Sequence, residues 1–195
     1  MEDIHIRNLS KSFQNKQVLR RLTVTLPSNA VSCLMAPSGA GKTTLLRILC
    51  GLEKADEGEI IGLKDARFAF VFQEDRLCES LDAAGNIRLT NPRLPTGEVV
   101  KALSKFGIDR PTAWPVREFS GGMRRRVALL RALMARWDVL LMDEPFSGLD
   151  DETKDLVIEE TKALTADRTV ILVTHDESEA AAMGAAIYDL LALQE

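Results

Sequence analysis

The sequence has few cysteines and no long apolar run, and both absences exclude classes of protein. Cys33, Cys50 and Cys78 are isolated and odd in number, without the spacing of a metal site or a disulfide framework. We therefore expect all three to be packing residues in a reducing compartment. No stretch is apolar for long enough to span a bilayer. The N-terminal residues 1–5, which include Glu2 and Asp3, lack the apolar core of a signal peptide. The protein is therefore expected to stay where it is made.

An excess of basic residues is also missing. The 195 residues include 25 Lys and Arg against 29 Asp and Glu, a formal net charge of -4. Proteins that bind nucleic acid usually have a basic excess, so we expect no nucleic-acid partner. There is no internal repeat or low-complexity linker, and 46% hydrophobic residues supply the core of a single domain, with room for an inserted subdomain.

The N-terminal part of the chain has the patterns of exposed strands. Apolar and polar residues alternate at 4–9 and again at 22–26, which predicts strands with one solvated face. Residues 56–59 are predicted to form a turn. The apolar residues at 60–61 and 68–72 flank Gly62 to Arg67 and predict a short hairpin.

Mostly apolar strands are predicted at 31–35, 139–142 and 169–173, with a last strand near 187–191. Since helices separate them, they should form a parallel α/β sheet, which binds ligands beyond the carboxyl ends of its strands. The predicted helices cover residues 43–50, Ser120 (as N-cap) to about Arg136, 151–164, and a short segment after His175. Val127, Leu130, Met134 and Trp137 are expected to form the buried stripe of the second of these helices.

The pattern changes between residues 76 and 118. Prolines at 92, 95, 111 and 115 punctuate short helical stretches such as 98–106. This predicts one domain over 1–195, in which a mainly helical subdomain at about 76–118 interrupts a core at about 1–75 and 119–195.

A glycine-rich turn between a strand and a helix has the pattern of a phosphate-binding P-loop. Gly39 and Gly41 let the backbone approach phosphates, Lys42 would bridge the β- and γ-phosphates of a nucleotide, and the Thr43 hydroxyl would bind Mg²⁺. The first position is usually glycine and here is alanine, which we expect to be tolerated because it ends the strand. The predicted nucleotide-binding segment comprises Ala36, Pro37, Ser38, Gly39, Ala40, Gly41, Lys42, Thr43 and Thr44.

Acidic residues and a histidine follow two other apolar strands. Asp143 and Glu144 close the strand at 139–142 in the Walker B pattern. Asp143 would hold Mg²⁺ through its water shell, and Glu144 would act as general base on the attacking water. His175 ends the next strand, where it can reach a γ-phosphate. An isolated histidine is more often structural, but its position here favours a catalytic role.

Residues 119–123, Phe-Ser-Gly-Gly-Met, resemble the signature motif of the ATP-binding-cassette ATPases, which most P-loop enzymes lack. Further motifs occur in the order typical of that family and together cover about residues 4 to 190. Residues 70–73 resemble its Q-loop, 147–150 its D-loop, 173–176 its switch histidine, and Ser12-Phe13 with Val18 the segment that stacks on adenine. The resemblance implies a P-loop NTPase core with a mainly parallel sheet, an N-terminal antiparallel β part and an inserted helical subdomain.

The resemblance also implies roles for individual residues. Phe13 and Val18 would contact adenine. Gln73 would be the third catalytic residue beside Glu144 and His175, binding the Mg²⁺ shell and sensing a membrane partner. Ser120, Gly121 and Gly122 would bind the γ-phosphate of ATP held by a second subunit, whose site Asp150 would order. Met123 stands where many members have glutamine, but importers that resemble those for nitrate, sulfonate, taurine and related small substrates often have methionine there.

The function implied is an ATP-hydrolysing subunit, with ATP and Mg²⁺, that energises a membrane transporter, a bacterial importer being the best match. Its partners would be a second cassette, either identical or a paralogue, placed head to tail, and a separate integral membrane permease that attaches the cytoplasmic chain to the inner face of the membrane. One alternative is a soluble mechanoenzyme or ATP switch acting on ribosomes or DNA, although such cassettes usually occur in tandem or carry long insertions. Another is a module that binds ATP without turnover, which Glu144 and His175 disfavour.

The arginine run at residues 124–126 leaves two interpretations. It could be a local patch for nucleic acid. We favour a solvated first turn of the helix beside the signature residues, where the positive charge would also help to attract ATP.

Overall fold

Strands and helices alternate along most of the chain. A computed structural model describes residues 1–109 and 114–194. In chain order the elements are β1 (Ile4–Phe13), β2 (Lys16–Leu26), β3 (Val31–Met35), α1 (Lys42–Leu49), β4 (Glu57–Ile61), β5 (Phe68–Val71), α2 (Ala83–Arg88), α3 (Thr96–Lys105), a 3-10 turn (Val116–Glu118), α4 (Gly121–Leu133), β6 (Val139–Asp143), α5 (Asp151–Leu164), β7 (Thr169–Val173), α6 (Glu177–Met183) and β8 (Ala186–Asp189).

The N-terminal strands form an antiparallel sheet in the order β2-β1-β4. The hairpin of β1 and β2 is longer than the alternating residues predict, and its register reaches the pair Phe13 and Lys16. Its inner face is apolar, since Ile4, Ile6 and Leu22 are buried. The sheet confirms the antiparallel β part.

The predicted hairpin between residues 60–61 and 68–72 is wrong. β4 pairs antiparallel with β1, whereas β5 pairs in parallel with β6 in the other sheet. The predicted turn at 56–59 is also wrong, because Glu57 already begins β4. Gly58 has φ +91, and a Cβ there would lie 2.6 Å from the carbonyl oxygens of β1 residues Arg7 and Asn8. Its lack of a side chain lets β4 reach the edge of β1.

The second sheet is parallel throughout, in the order β5-β6-β7-β3-β8. Every residue of β6 and β7 is buried, as apolar strands covered on both faces should be. The carboxyl ends of β5, β6, β7 and β3 are neighbours at one edge of the sheet. This confirms the predicted α/β sheet and places four loops side by side.

Residues 76–109 and 114–118 contain α2, α3 and the 3-10 turn, which pack on α4. Phe106 from the α3 end shares a buried cluster with Val127 and Leu130 of α4. Helix α4 ends at Leu133, before the predicted Arg136, and Ser120 caps it as predicted. Pro111 lies outside the described residues. The division into core and helical subdomain stays a prediction.

The buried stripe predicted for α4 is confirmed in part. Val127 and Leu130 are buried on the helix, and Trp137 is buried just beyond its end. The Trp137 indole N–H donates to the Leu133 carbonyl over 3.1 Å. Met134 is only partly buried.

The cysteines differ in their surroundings, and all three are free. Cys33 is buried, and burial raises the pKa of its thiol to about 11. Cys50 is partly buried, whereas Cys78 is exposed. The prediction that all three are packing residues is therefore wrong for Cys78.

None of the helices within 1–109 and 114–194 is long and apolar enough to cross a membrane.

Candidate functional site

A cavity of about 500 Å³ opens at the carboxyl edge of the parallel sheet. Its walls come from the loops after β3, β5, β6 and β7, and from β2. The structure therefore brings together residues that are distant in sequence. Of the predicted site residues, those lining the cavity are Val18, Ala36, Pro37, Ser38, Gly39, Gly41, Lys42, Thr43, Thr44, Gln73, Asp143, Glu144 and His175. Ser147 lines it as well, although its sequence motif suggested no contact of its own with the nucleotide.

The loop between β3 and α1 requires glycine at its end. Gly41 has φ +94, and a Cβ there would lie 2.7 Å from Leu19 Cδ2 and 2.8 Å from the Val18 carbonyl oxygen. Helix α1 begins at the next residue, and no side chain caps it. The N–H groups of its first turn are therefore available to an anion in the cavity.

The Lys42 side chain folds back across this loop. Its ammonium donates to the Ala36 carbonyl oxygen at 2.5 Å and to that of Pro37 at 3.1 Å. The loop thus presents a fixed positive charge to the cavity. Ala36 takes part through its backbone carbonyl oxygen, and the tolerance of alanine at this position stays a prediction.

Thr43 and Asp143 have the chemistry of a magnesium site. The Thr43 hydroxyl donates to Asp143 Oδ2 over 2.6 Å. Asp143 is only 2% exposed, and burial raises the pKa of its carboxyl, while the Thr43 hydrogen bond opposes the shift. Mg²⁺ prefers oxygen ligands of this kind, and its charge would compensate a buried carboxylate. Within the described residues no cluster of three or more His, Cys, Asp or Glu could hold a metal.

Glu144 and His175 meet at the opening of the cavity. Glu144 Oε2 lies 2.9 Å from His175 Nδ1; the carboxyl side chain is 17% exposed and the imidazole side chain 77%. The hydrogen bond to Glu144 raises the pKa of His175. The backbone of Glu144 is left-handed, with φ 49. Two of the three residues predicted to be catalytic, Glu144 and His175, are thus a contacting pair.

We expect this contact to be measurable as a titration. The pKa of His175 should lie above its ordinary 6.5 and should fall in Glu144→Gln, which lacks the negative charge. Because the folded-state pKa is raised, the contact stabilises the fold fully below the unfolded-state pKa and is lost as pH rises through the folded-state value. The chain has two histidines, so NMR of a His5→Gln variant follows His175 by itself. An ordinary pKa in that variant would contradict the contact.

The signature residues 120–122 and Asp150 of the D-loop motif do not line the cavity. Ser120 accepts a hydrogen bond from the Met123 N–H and caps α4, and Asp150 accepts one from the Thr153 N–H and caps α5. Gly121 is exposed, and a Cβ there would meet nothing within 4 Å. One copy of the chain therefore does not bring these residues to its own nucleotide loop.

Three other residues that were predicted to contact a nucleotide also do not line the cavity. Phe13 at the end of β1 is 44% exposed, with the Lys11 ammonium 5.1 Å from its ring centre. Ala40 lines a smaller neighbouring cavity, and Gly122 lies beside Leu149.

Both interpretations of the arginine run fail for Arg125. Its side chain is buried, 4% exposed, and donates to backbone carbonyls of the loops after β5 and β6. Helical spacing could have predicted this burial. Arg125 lies three, four and seven residues before Ala128, Leu129 and Ala132, which places all four on one buried face of α4. Arginine at such a position predicts a buried hydrogen-bond donor rather than a solvated charge.

Comparisons with known proteins show the family to which the chain belongs. The sequence model of the ABC transporter family matches residues 19–147. The chain is 37% identical over 189 residues to an aliphatic sulfonates import ATP-binding protein of Cupriavidus pinatubonensis, covering 92% of this chain and 63% of that protein. It is 34% identical over 198 residues to a sulfate/thiosulfate import ATP-binding protein of Pseudomonas putida, covering 91% and 60%. The chain thus spans less than two thirds of the length of these relatives.

A solved structure supports the fold. An ATP-binding cassette in a dimeric, post-hydrolysis state bound to ADP and phosphate superimposes with a TM-score of 0.80 and 25% sequence identity, covering 92% of this chain and 90% of that one. The family match extends over more than half of the chain. With the parallel sheet and the phosphate loop, it shows that the chain belongs to the ABC transporter family, as an ATP-binding cassette.

Proposed function

We propose that the chain binds ATP with Mg²⁺ and hydrolyses it to ADP and phosphate. The observation that carries this proposal is the convergence of the Lys42 charge, the Thr43 and Asp143 oxygens, and the Glu144 and His175 pair around one cavity. Lys42 and the first turn of α1 bind the β- and γ-phosphates. Thr43 would hold Mg²⁺ through its hydroxyl, and Asp143 and the Gln73 amide would hold it through its water shell. The bound ion would neutralise charge that develops on the phosphates.

Glu144 is the proposed general base. Its carboxylate lies at the end of a fully buried strand, close enough to the phosphate loop to line the same cavity. A water molecule between Glu144 and the γ-phosphate would lose its proton to this carboxylate as it attacks phosphorus. His175, which follows β7, holds the Glu144 carboxylate by a hydrogen bond and reaches toward the γ-phosphate.

The complete site is proposed to require two cassettes in head-to-tail arrangement. Ser120, Gly121 and Gly122 lie at the exposed start of α4, where their N–H groups can bind the γ-phosphate of ATP on the partner. Shifting a pair from mostly open to mostly closed needs roughly 5.5 kcal/mol of differential binding. Contacts to the γ-phosphate can supply it, so its loss on hydrolysis reopens the dimer. Asp150 orders the partner's site, and Phe13 with Val18 contacts adenine.

The proposed biological role is to energise a bacterial importer from the cytoplasmic face of the membrane. Two relatives are named as import ATP-binding proteins, and an ATP-driven closure becomes transport only when a permease converts it into alternating access. The permease is proposed to be a separate chain that docks near Gln73 and the predicted helical subdomain at about 76–118. The substrate is then selected by the permease and not by this chain.

Purification from native membranes tests this role. A tagged chain, extracted with mild detergent after nuclease treatment, should recover an integral membrane protein and a cassette subunit in fixed ratio. An unrelated tagged protein of similar size is the control. Recovery of ribosomal RNA or DNA in place of a membrane protein would support the mechanoenzyme alternative and overturn the transporter role.

A further inference from the structure

Helix α4 carries one guanidinium into the interior beside the nucleotide cavity. Arg125 is 4% exposed, and its side chain lies between the loops that follow β5 and β6. It donates to the backbone carbonyl oxygens of Phe72 (2.6 Å), Gln73 (3.3 Å), Asp143 (3.1 Å), Glu144 (2.6 Å) and Pro145 (2.9 Å).

These bonds match the chemistry of arginine. A guanidinium has five N–H donors in a rigid plane and no acceptor, so it can serve carbonyls on two sides at once. Burial lowers the pKa of Arg125, and the Asp75 carboxylate 3.5 Å away opposes the shift. A charge buried this deeply is tolerated only where its hydrogen bonds are satisfied.

The backbone that Arg125 holds is in an uncommon conformation. Glu144 has φ 49, a region that few non-glycine residues adopt and that persists only where the surroundings hold it. Its carbonyl accepts from Arg125, and its N–H donates to the Val173 carbonyl over 2.8 Å. The direction of the Glu144 side chain depends on this backbone, so a shift at the carbonyl displaces the carboxylate.

We propose that Arg125 is a positioning residue of the nucleotide site. It holds the Glu144 carboxylate and the loop after β5, which contains Gln73, in place, and it links both to α4, the helix that begins at the signature residues. One planar group bonds both loops, so neither moves relative to α4 without breaking hydrogen bonds. Gly121 and Gly122 begin the same helix one turn earlier. Engagement of the signature by a partner's γ-phosphate is thereby mechanically linked to the chain's own Glu144.

The neighbouring Arg124 has different hydrogen-bond partners. The Arg124 guanidinium pairs with carboxylate side chains, Glu79 Oε1 at 3.2 Å and Asp75 Oδ2 at 3.9 Å. Arg124 is partly exposed. Within the described part of the chain it forms no hydrogen bond to the carbonyls of residues 143–145, whereas Arg125 does. It therefore supplies a matched control on the same helix turn.

Arg125→Lys keeps the charge but replaces the planar fork with a single ammonium. We expect kcat for ATP hydrolysis to fall about 10- to 100-fold, since small displacements of a reacting group are costly. The Kd for ATP measured without Mg²⁺ should change less than about threefold, because the phosphate loop is untouched. Arg124→Lys should change neither quantity.

A second readout is independent of hydrolysis, which matters because the role of Arg125 rests on the proposed ATPase activity. In a His5→Gln background, Arg125→Lys should move the pKa of His175 toward its ordinary value, since Glu144 leaves its partner; Arg124→Lys should not. If the parent protein hydrolyses no ATP, the proposed function fails, while this titration still tests positioning.

The outcomes are decisive. A folded Arg125→Lys variant with unchanged kcat and unchanged His175 titration overturns the proposal. A lowered melting temperature with unchanged kcat per folded molecule assigns Arg125 a purely structural role and also overturns it. Should the lysine variant fail to fold, Arg125→Gln takes its place, because an amide still donates two N–H bonds; if neither folds, Arg125 serves folding and the positioning role is rejected.

Discussion

Glu144→Gln is expected to lower steady-state ATP hydrolysis by about two to four orders of magnitude, the range for losing a general base. The amide has nearly the shape of the carboxylate but cannot accept the proton of the attacking water. The substitution leaves the phosphate loop and the 2.6 Å hydrogen bond from Thr43 to Asp143 unaffected. ATP should therefore remain bound. Phosphate release at saturating Mg²⁺ and ATP measures the rate, and equilibrium binding of labelled ATP measures retention.

The matched control for this variant is Glu159→Gln, the same chemical change at an exposed residue of α5. It should leave the rate unchanged. We also expect ATP to trap Glu144→Gln as a dimer in gel filtration, because the γ-phosphate stays in place. A Glu144→Gln rate equal to that of the parent would remove Glu144 from the role of base.

Gly121→Asp is expected to abolish hydrolysis while leaving ATP binding to the isolated chain intact. Because a Cβ at Gly121 meets nothing within 4 Å, the fold has room for the substitution. The new carboxylate would face the γ-phosphate of ATP on the partner, and like charges brought together at an interface cost several kcal/mol, or about 100-fold or more. Hydrolysis, ATP-dependent dimer formation and ATP affinity are measured on the same sample.

Gly97→Asp supplies the matched control, because Gly97 also lies in an exposed first helical turn, where an added Cβ would meet no atom within 4 Å. It should behave as the parent. Mixing then tests whether the site is shared. Lys42→Ala and Gly121→Asp should each be inactive, yet a mixture should recover part of the rate, because a mixed dimer contains one intact site. Full activity of Gly121→Asp would contradict the two-cassette site.

Several elements were predictable because their signals are local. The helix at Asp151–Leu164 and the strand at Thr169–Val173 have the predicted bounds, since helical periodicity and an uninterrupted apolar run each depend on neighbouring residues only. The phosphate loop was predictable for the same reason, because its glycines, lysine and threonine act in one short turn. Knowing that these strands are parallel was then enough to expect Asp143, Glu144 and His175 at one edge.

Pairing between distant segments was not predictable in this way. β4 and β5 follow one another in sequence and resemble a hairpin, yet they belong to different sheets. Each strand pairs where an open edge can satisfy its backbone groups and bury its apolar face, and the position of such an edge is set by the assembled domain.

The sequence by itself determined the phosphate loop, the acidic strand end and the signature residues, because each is a short motif whose chemistry depends on adjacent side chains. Only the tertiary structure decided where Arg125 lies. A run of three arginines on the first turns of a helix resembles a solvated charge cluster, but the packing of α4 against two loops places the middle one among five carbonyl oxygens. Burial depends on what packs against a helix, and those neighbours come from segments 18 to 53 residues away.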